Sequence, residues 1–204
     1  MLKNDYGGLF VAFDGPKGVG KTTLVERVKD QLIKNDVNVW TTRTPSDTEL
    51  GMFVRQIAET VKHESLACLI AADRYHHLHT DIIPQLLAKR VVITDRYVLS
   101  SLILQRLDNV DSEFILTIHK HLIMPDLQVV ITADESMIQT RLTERKKIVS
   151  RFDEMNRTSE EIRYLHEGAK MLCSLGIKTI TLDNSSDFDA GASFITNYIL
   201  EVFK

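Results

Sequence analysis

The sequence predicts an α/β fold of three layers, in which a five-stranded parallel sheet is covered by helices on both faces. Short, continuously apolar segments alternate with longer segments of helical periodicity, a pattern typical of strands that are buried on both sides. A glycine-rich turn directly follows the first apolar segment and leads into a helical one, as expected of a βα unit. The predicted strands cover residues 9–13, 37–42, 91–94, 127–132 and 178–182.

Helical segments separate the strands in the order that parallel crossovers require. We predict helices over residues 21–33, 48–61, 64–88, 98–105, 112–122, 135–144, 159–175 and 188–202. The polar residues 1–8 are expected to form a short lead before the first strand that is either disordered or loosely attached. Because no linker rich in proline, glycine or serine divides the chain, residues 1–204 are predicted to form a single domain.

Composition limits the classes of partner. The net charge of −3 offers no electrostatic reason to expect a nucleic-acid partner, so a small molecule is favoured. No apolar run is long enough to cross a membrane and no signal peptide is recognisable, so no membrane partner is expected. Cys68 and Cys173 are too few for a disulfide framework, which favours a reducing, cytoplasmic location.

The glycine-rich turn after the first strand has the pattern of a phosphate-binding loop. Gly15, Gly20, Lys21 and Thr22 satisfy G-x-x-x-x-G-K-[ST]. In such a loop backbone N–H groups surround the phosphates, the lysine bridges the β- and γ-phosphates, and the hydroxyl binds Mg²⁺. The fold class is therefore predicted to be that of the P-loop NTPases, with ATP as co-substrate and Mg²⁺ as cofactor. The predicted ATP-binding residues are Gly15, Pro16, Lys17, Gly18, Val19, Gly20, Lys21, Thr22 and Thr23.

Charged residues follow the second and third predicted strands, at the edge of the sheet where the loop lies. Arg43 follows the second strand, and Asp95 and Arg96 close the apolar run of the third. A carboxylate in this position can hold Mg²⁺ together with Thr22, and an adjacent arginine can bind the phosphate of an acceptor. The alternative is a structural ion pair at the end of a strand.

Other classes that use this loop fit less well. No N-K-x-D string for reading guanine is present, and Asp95 is not followed by the glutamate of a translocating ATPase. A deoxynucleoside kinase would need a carboxylate near the first strand, and Asp14 is the only acid there. The closely spaced His76, His77 and His79 lack the spacing of a zinc site.

Several segments in order resemble the thymidylate kinase family. The loop FDGPKGVGKTT is followed by TRTPSDTEL, similar to T-R-E-P-G-G-T-x-L, and by AADRYHH, similar to A-[AD]-R-x-x-H. The segment PQLLAKRVVITDRYVLSSLILQ resembles the family's long D-R-Y-x-x-S-S motif, PDLQVVITADESMIQTRL its P-D-L strand, and SRFDE the D-R-[FI]-E of a mobile lid. The resemblance extends from residue 10 to about residue 182.

The resemblance implies a role for each matched residue. The catalytic set would be Lys21, Asp95, Arg96 and Arg151, with Arg151 on a lid at about residues 145–157, and the metal ligands would be Thr22 and Asp95. It also implies a homodimer that acts on small nucleotide substrates in nucleotide biosynthesis. The basic residues Arg145, Lys146, Lys147 and Arg151 could instead form a solvated helix end. The predicted acceptor-binding residues are Asp14, Lys17, Arg43, Ile70, Arg74, Arg96, Ser101, Leu104 and Gln105.

Departures from the family pattern concern the groups that read the acceptor. Lys17 stands where the family has an acid for the sugar, Ile70 where a phenylalanine stacks on thymine, and Leu104 where a tyrosine lies near the sugar. The favoured function is ATP-dependent phosphorylation of dTMP to dTDP. The alternatives are a related kinase for a modified nucleotide, a nucleoside or a nucleotide-like metabolite, and a nucleotide-binding regulatory protein.

Overall fold

The computed structural model describes residues 1–144, 157–185 and 188–203, and its strands confirm the predicted parallel sheet. The five strands are β1 (Leu9–Asp14), β2 (Val39–Arg43), β3 (Val91–Asp95), β4 (Leu127–Thr132) and β5 (Thr179–Asp183). They are hydrogen-bonded in the order β2-β3-β1-β4-β5, and all four pairs are parallel. Since β1 lies in the middle of the sheet, the loop that follows it has strand ends on both sides.

Helices cover both faces of this sheet. They are α1 (Lys21–Lys34), α2 (Glu49–Ile57), α3 (His63–His77), α4 (Ile83–Leu87), α5 (Val98–Leu107), α6 (Ser112–Ile118), α7 (Glu135–Glu144), α8 (Thr158–Ser174) and α9 (Phe188–Val202). Successive residues of β1 alternate between two cores: Phe10 and Ala12 pack with α5 and α8, while Val11 and Phe13 pack with α1 and α9. Such burial on both faces accounts for the uninterrupted apolar strands of the sequence.

One predicted helix has an interruption that the sequence analysis did not anticipate. Residues 64–88 were predicted as a single helix, but a π-helical turn, Leu78–Ile82, separates α3 from α4. In this turn the N–H of Ile83 donates to the carbonyl of Leu78. Pro84 has no N–H for the regular ladder, so the wider turn falls where one hydrogen bond is already lost.

The prediction of a loosely attached N-terminal lead is wrong. Leu2 forms a parallel bridge with Ile123, and its N–H donates to the carbonyl of Leu122 at 2.9 Å. The side-chain amide of Asn4 donates to the carboxylate of Asp126 at 2.6 Å, which also accepts the N–H of Phe10. These backbone and carboxylate partners come from the segment just before β4, which local sequence does not reveal. Within the described residues, no helix combines the length and apolar character needed to span a membrane.

Candidate active site

The loop between β1 and α1 folds around the Lys21 ammonium. Lys21 is buried, and its Nζ donates to the carbonyls of Gly15 at 2.9 Å and Pro16 at 2.7 Å. Burial is the main cause that lowers the pKa of Lys21 to about 7, and the nearby charge of Arg96 acts in the same direction. This ammonium is therefore poorly compensated until an anion enters the loop.

Gly20 gives the loop its shape at the start of α1. Its φ of +93° is in the left-handed region, and a Cβ on this residue would lie 2.5 Å from the ring of Phe188 and 2.8 Å from Asn184 Nδ2. Glycine is thus required both for the backbone conformation and for the close packing against Phe188 at the start of α9 and Asn184 after β5. The resulting turn leaves the N-terminus of α1 facing the loop.

Thr22 and Asp95 meet across the loop. The Thr22 hydroxyl donates to Asp95 Oδ2 at 2.9 Å, while Asp95 Oδ1 is buried and has no hydrogen-bond partner among the described residues. A cavity of about 110 Å³ opens beside this pair, lined by Lys17, Gly18, Gly20, Lys21, Thr22, Asp95 and Arg96. Three cationic side chains and a carboxylate thus surround a space next to the glycine loop, an arrangement suited to a polyanion bound with a cation.

Arg96 is held at the cavity by a hydrogen-bonded chain. Its N–H donates to the carbonyl of Phe13 at 2.8 Å, and its φ of +76° turns the chain sharply after β3. Arg96 Nη1 donates to the hydroxyl of Ser100 at 3.0 Å, and that hydroxyl in turn donates to Asp14 Oδ1. Because Ser100 gives its proton to Asp14, its lone pairs face the guanidinium.

Asp14 has a supporting position rather than one at the cavity. It is fully buried, its Oδ1 also accepts the N–H of Tyr97 at 3.1 Å, and its Oδ2 accepts Gln128 Nε2 at 3.0 Å. The Asp14 carboxylate is therefore engaged by β4 and the start of α5, and its contact with an acceptor stays a prediction.

Arg43 lies at the end of β2, in register with Asp95 on β3. Its Nε and Nη2 donate to Asp47 Oδ1 at 3.1 and 2.6 Å. The same oxygen accepts Arg55 Nη2 at 2.9 Å, and Arg55 Nη1 also donates to the carbonyl of Pro45. The Arg43 guanidinium lowers the pKa of the Asp47 carboxyl, chiefly through the hydrogen bond. Two arginines thus converge on one exposed carboxylate.

The loop after β2 is fastened to α3 by Asp73. This carboxylate is fully buried and accepts both the N–H of Ser46 at 2.9 Å and its hydroxyl at 2.6 Å. The Ser46 hydroxyl also contacts Thr48, which caps α2. Asp73 therefore fixes the segment that carries Asp47 relative to the helix that carries Arg74.

Arg74 is buried on α3 and directed toward α5. Its Nη1 donates to the Ser101 hydroxyl and to His119 Nε2 at 2.8 Å, and its Nη2 donates to the carbonyl of Tyr97 at 2.6 Å. His119 lies within 2.7 Å of the Ile115 carbonyl through Nδ1, which leaves Nε2 as the acceptor. Burial lowers the pKa of His119 to about 3, so the imidazole is neutral and the interaction with Arg74 is attractive. Arg74 Nε has no partner among the described residues.

Among the other predicted acceptor residues, Ile70 and Leu104 pack against apolar neighbours, whereas Gln105 is a buried polar residue. Ile70 is only 9% exposed and contacts Val54 and Leu66 between α2 and α3, and Leu104 packs against the core on the α5 side. Gln105 is buried, and its Oε1 accepts no hydrogen bond within the described part of the chain. Ile70 thus serves the α2–α3 contact, whereas Gln105 retains an unused acceptor.

The remaining loop residues differ in their surroundings. The backbone N–H of Lys17 donates to Glu161 Oε1 on α8 at 3.3 Å. Val19 is buried, and its carbonyl accepts Asn184 Nδ2 at 2.7 Å, while Thr23 is exposed on α1. Residues 145–156, which include Arg151 and most of the predicted lid, lie outside the described residues.

Several residues around the site were not anticipated from the sequence. Ser100, His119 and Glu161 contact the predicted site residues Arg96, Arg74 and Lys17, whereas Asp73 and Arg55 contact the loop after β2 that follows Arg43. Ser100 follows Arg96 by four positions, the spacing of one helical turn, so that helical periodicity could have identified it. Asp73 lies inside the quoted segment AADRYHH, next to Arg74, whereas His119 and Glu161 come from distant segments and carry no local signal.

Comparison with known proteins identifies the family of this chain. The family model described as thymidylate kinase matches residues 13–192, which include the loop, both strand-end arginines and α8. The chain belongs to the thymidylate kinase family. It is therefore an enzyme of the nucleoside monophosphate kinase class, a phosphotransferase, and the resemblance inferred from its motifs is confirmed.

Individual relatives of the thymidylate kinase family match most of the chain. A thymidylate kinase of Caldicellulosiruptor saccharolyticus is 31% identical over 86% of this chain and 88% of its own length. A probable thymidylate kinase of Caldivirga maquilingensis is 36% identical over 67% of this chain and 69% of its own. A probable thymidylate kinase of Methanococcus vannielii is 32% identical over 81% and 80%.

Proposed function

We propose that this protein transfers the γ-phosphoryl group of ATP to dTMP, forming dTDP and ADP. The observation that carries the proposal is the cavity beside the loop at the carboxyl edge of the sheet, which Lys21, Asp95 and Arg96 line. The family match and the names of its relatives favour dTMP as acceptor over the nucleoside and metabolite alternatives.

Lys21 and the loop N–H groups would bind the donor phosphates. The carbonyls of Gly15 and Pro16 hold the Lys21 ammonium within the loop, where it would meet the donor phosphates. Transfer breaks the bond between the γ-phosphorus and the bridging oxygen of ADP and forms a bond to a phosphate oxygen of the acceptor. Little covalent chemistry is asked of the protein, since alignment and charge neutralisation lower most of the barrier. Lys21, Lys17 and Arg96 are the described cations at the cavity.

Thr22 and Asp95 would hold Mg²⁺. A hydroxyl beside a carboxylate whose second oxygen has no partner among the described residues fits a cation that prefers oxygen ligands and retains several waters. When bound, Mg²⁺ would neutralise charge on the donor phosphates. Within the described residues no cluster of three or more histidine, cysteine or acidic side chains offers another metal site.

Acceptor binding is assigned to residues from four elements, namely the ends of β2 and β3 and the helices α3 and α5. Arg43 and Arg96, at the ends of adjacent strands, would bind the acceptor phosphate, and Arg74 with Ser101 would contact the base. Gln105 would add a polar contact through its unused Oε1. Since Ile70 packs between two helices and Leu104 is aliphatic, neither supplies a stacking ring, so that polar contacts must contribute more of the acceptor affinity.

The wider organisation is proposed from the family and from surface features. We propose one kinase domain over residues 1–204, a lid near residues 145–157 in which Arg151 neutralises the transferring group, and no nucleic-acid or membrane partner. Exposed Met52 and Phe53 on α2 support a homodimer, which sedimentation equilibrium would test. The exposed free Cys68 and Cys173 fit a reducing cytoplasm.

Release of ADP with ATP and Mg²⁺ tests the proposed function. The acceptor panel comprises dTMP, dUMP, dCMP, dGMP, UMP, thymidine and 3′-substituted pyrimidine nucleotides, with Lys21→Ala supplying the background rate. We expect dTMP to give the highest kcat/KM. A better substrate elsewhere in the panel would contradict dTMP as the acceptor, and no turnover above the Lys21→Ala background would contradict the kinase assignment.

A further inference from the structure

Arg43 and Arg55, here called the Arg43–Arg55 pair, both donate hydrogen bonds to the side chain of Asp47. Arg43 uses its Nε and Nη2, the edge of the guanidinium that can fork onto a phosphate, to contact Asp47 Oδ1. Arg55 contacts the same oxygen at 2.9 Å. The Asp47 carboxylate therefore occupies donors that an acceptor phosphate would need.

The position of this contact makes the occupation relevant to substrate binding. Arg43 is paired in register with Asp95, and the N–H of Thr44 donates to the Asp95 carbonyl at 3.0 Å. The arginine therefore stands one strand from the cavity side chains. The Asp73–Ser46 contacts hold the same loop in place, so Asp47 is presented to Arg43 by a fixed backbone.

We propose that Asp47 is an internal competitor for the acceptor phosphate. Its carboxylate occupies the Arg43–Arg55 pair in the free enzyme, and the nucleotide phosphate displaces it on binding. The inference rests on the proposed function because it takes Arg43 as a phosphate ligand. It explains a residue that has no counterpart in the glycine pair of T-R-E-P-G-G-T, where this chain has Ser46 and Asp47.

Displacement costs little because the pair is open to solvent. The Arg43 and Asp47 side chains are 60% and 65% exposed, so water screens their attraction and the freed carboxylate is readily hydrated. The side chain therefore lowers acceptor affinity by a modest factor without preventing binding. Only ligands that carry a phosphate experience this competition, whereas a nucleoside does not need the arginine pair.

Equilibrium binding of dTMP and of thymidine, in wild type and Asp47→Asn, tests this proposal. We expect Asp47→Asn to bind dTMP about two- to fivefold more tightly, in keeping with the energy of an exposed ion pair, and thymidine without change. Asp47→Ser should behave like Asp47→Asn. Glu49→Gln removes an exposed acid two residues further along and should leave the dTMP affinity unchanged.

A double-mutant cycle separates competition from general charge effects. In an Arg43→Gln background the gain from Asp47→Asn should shrink, because the donors of Arg43 are absent and only the contact of Asp47 with Arg55 remains. An equal gain in that background, an equal gain for Glu49→Gln, or a loss of dTMP affinity in Asp47→Asn would overturn the proposal. Inorganic phosphate serves as the probe if wild type does not phosphorylate dTMP. Tighter phosphate binding by Asp47→Asn would then support competition even though the proposed acceptor had failed.

Discussion

Arg96 illustrates how a functional side chain depends on residues that never contact a substrate. Its guanidinium is positioned by the Ser100 hydroxyl, whose proton is committed to the buried Asp14 carboxylate. The same carboxylate is fixed by Gln128 on β4. The side chain at the cavity is thus connected to the middle of the sheet through two hydrogen bonds.

Replacing Ser100 tests this dependence. Ser100→Ala removes an acceptor from Arg96 and a donor from Asp14, so we expect the KM for the acceptor to rise about tenfold while the KM for ATP stays within about twofold. A merely structural effect would raise both values or lower the unfolding midpoint without separating them. Ser193→Ala, a serine on α9 that accepts a hydrogen bond from Gln31, is the control and should leave both constants unchanged.

Among the elements, the loop and its flanking strand and helix show the closest agreement between sequence and structure. The apolar run of β1, the glycines and the start of α1 are all local properties, and the predicted and observed bounds nearly coincide. The interrupted helix after residue 77 was not predicted, because periodicity cannot tell a π-helical turn from a continuous helix. The attachment of the N-terminal segment was not predicted either, because its hydrogen-bond partners lie far along the chain, just before β4.

A comparison of Gly20 with Gly176 separates the cost of a strained backbone from the cost of a steric clash. Gly20→Ala places a Cβ 2.5 Å from the Phe188 ring, whereas Gly176→Ala has nothing within 4 Å, yet both residues have positive φ. We expect Gly176→Ala to lose about 1 kcal/mol of unfolding free energy in urea titrations and Gly20→Ala about 3 kcal/mol. Gly20→Ala should also weaken ATP binding. Equal losses for the two variants would show that the packing against Phe188 yields.

At the scale of the whole molecule, the sheet order brings together residues that are far apart in the chain. The strands that end in Arg43 and in Asp95 lie beside each other, and β1 with its loop lies next to the second of these. The low pKa of Lys21 is a property of this assembly, since it arises mainly from burial and secondarily from Arg96.

The lowered pKa of Lys21 makes the stability of the folded protein depend on pH. The ordinary pKa is 10.5 and the folded value is about 7, so between these values the unfolded chain holds one more proton than the folded protein. The contribution of Lys21 to stability therefore increases as the pH rises from about 7 to about 10.5, and it is least favourable below pH 7, where the buried ammonium is charged.

Bound phosphates reverse this shift because they favour the charged ammonium. At pH 8 we expect ATP binding to take up about one proton, measured calorimetrically in buffers of different ionisation enthalpy, and the affinity to fall as pH increases. Lys21→Met should bind ATP more weakly and without this uptake. An uptake unchanged in Lys21→Met would assign the proton to another group.

The sequence by itself determined the fold class, the phosphate-binding loop and the family, because each depends on local patterns of apolar residues, glycines and charges. It also marked Arg43, Asp95 and Arg96 as strand-end residues. Only the tertiary structure decided which groups the site residues contact. The buried Asp14 carboxylate accepts a hydrogen bond from Ser100, Ile70 packs between α2 and α3, and the Asp47 carboxylate accepts hydrogen bonds from Arg43. The physical reason is that hydrogen-bond partners and burial are set by the approach of distant segments, which no local pattern encodes.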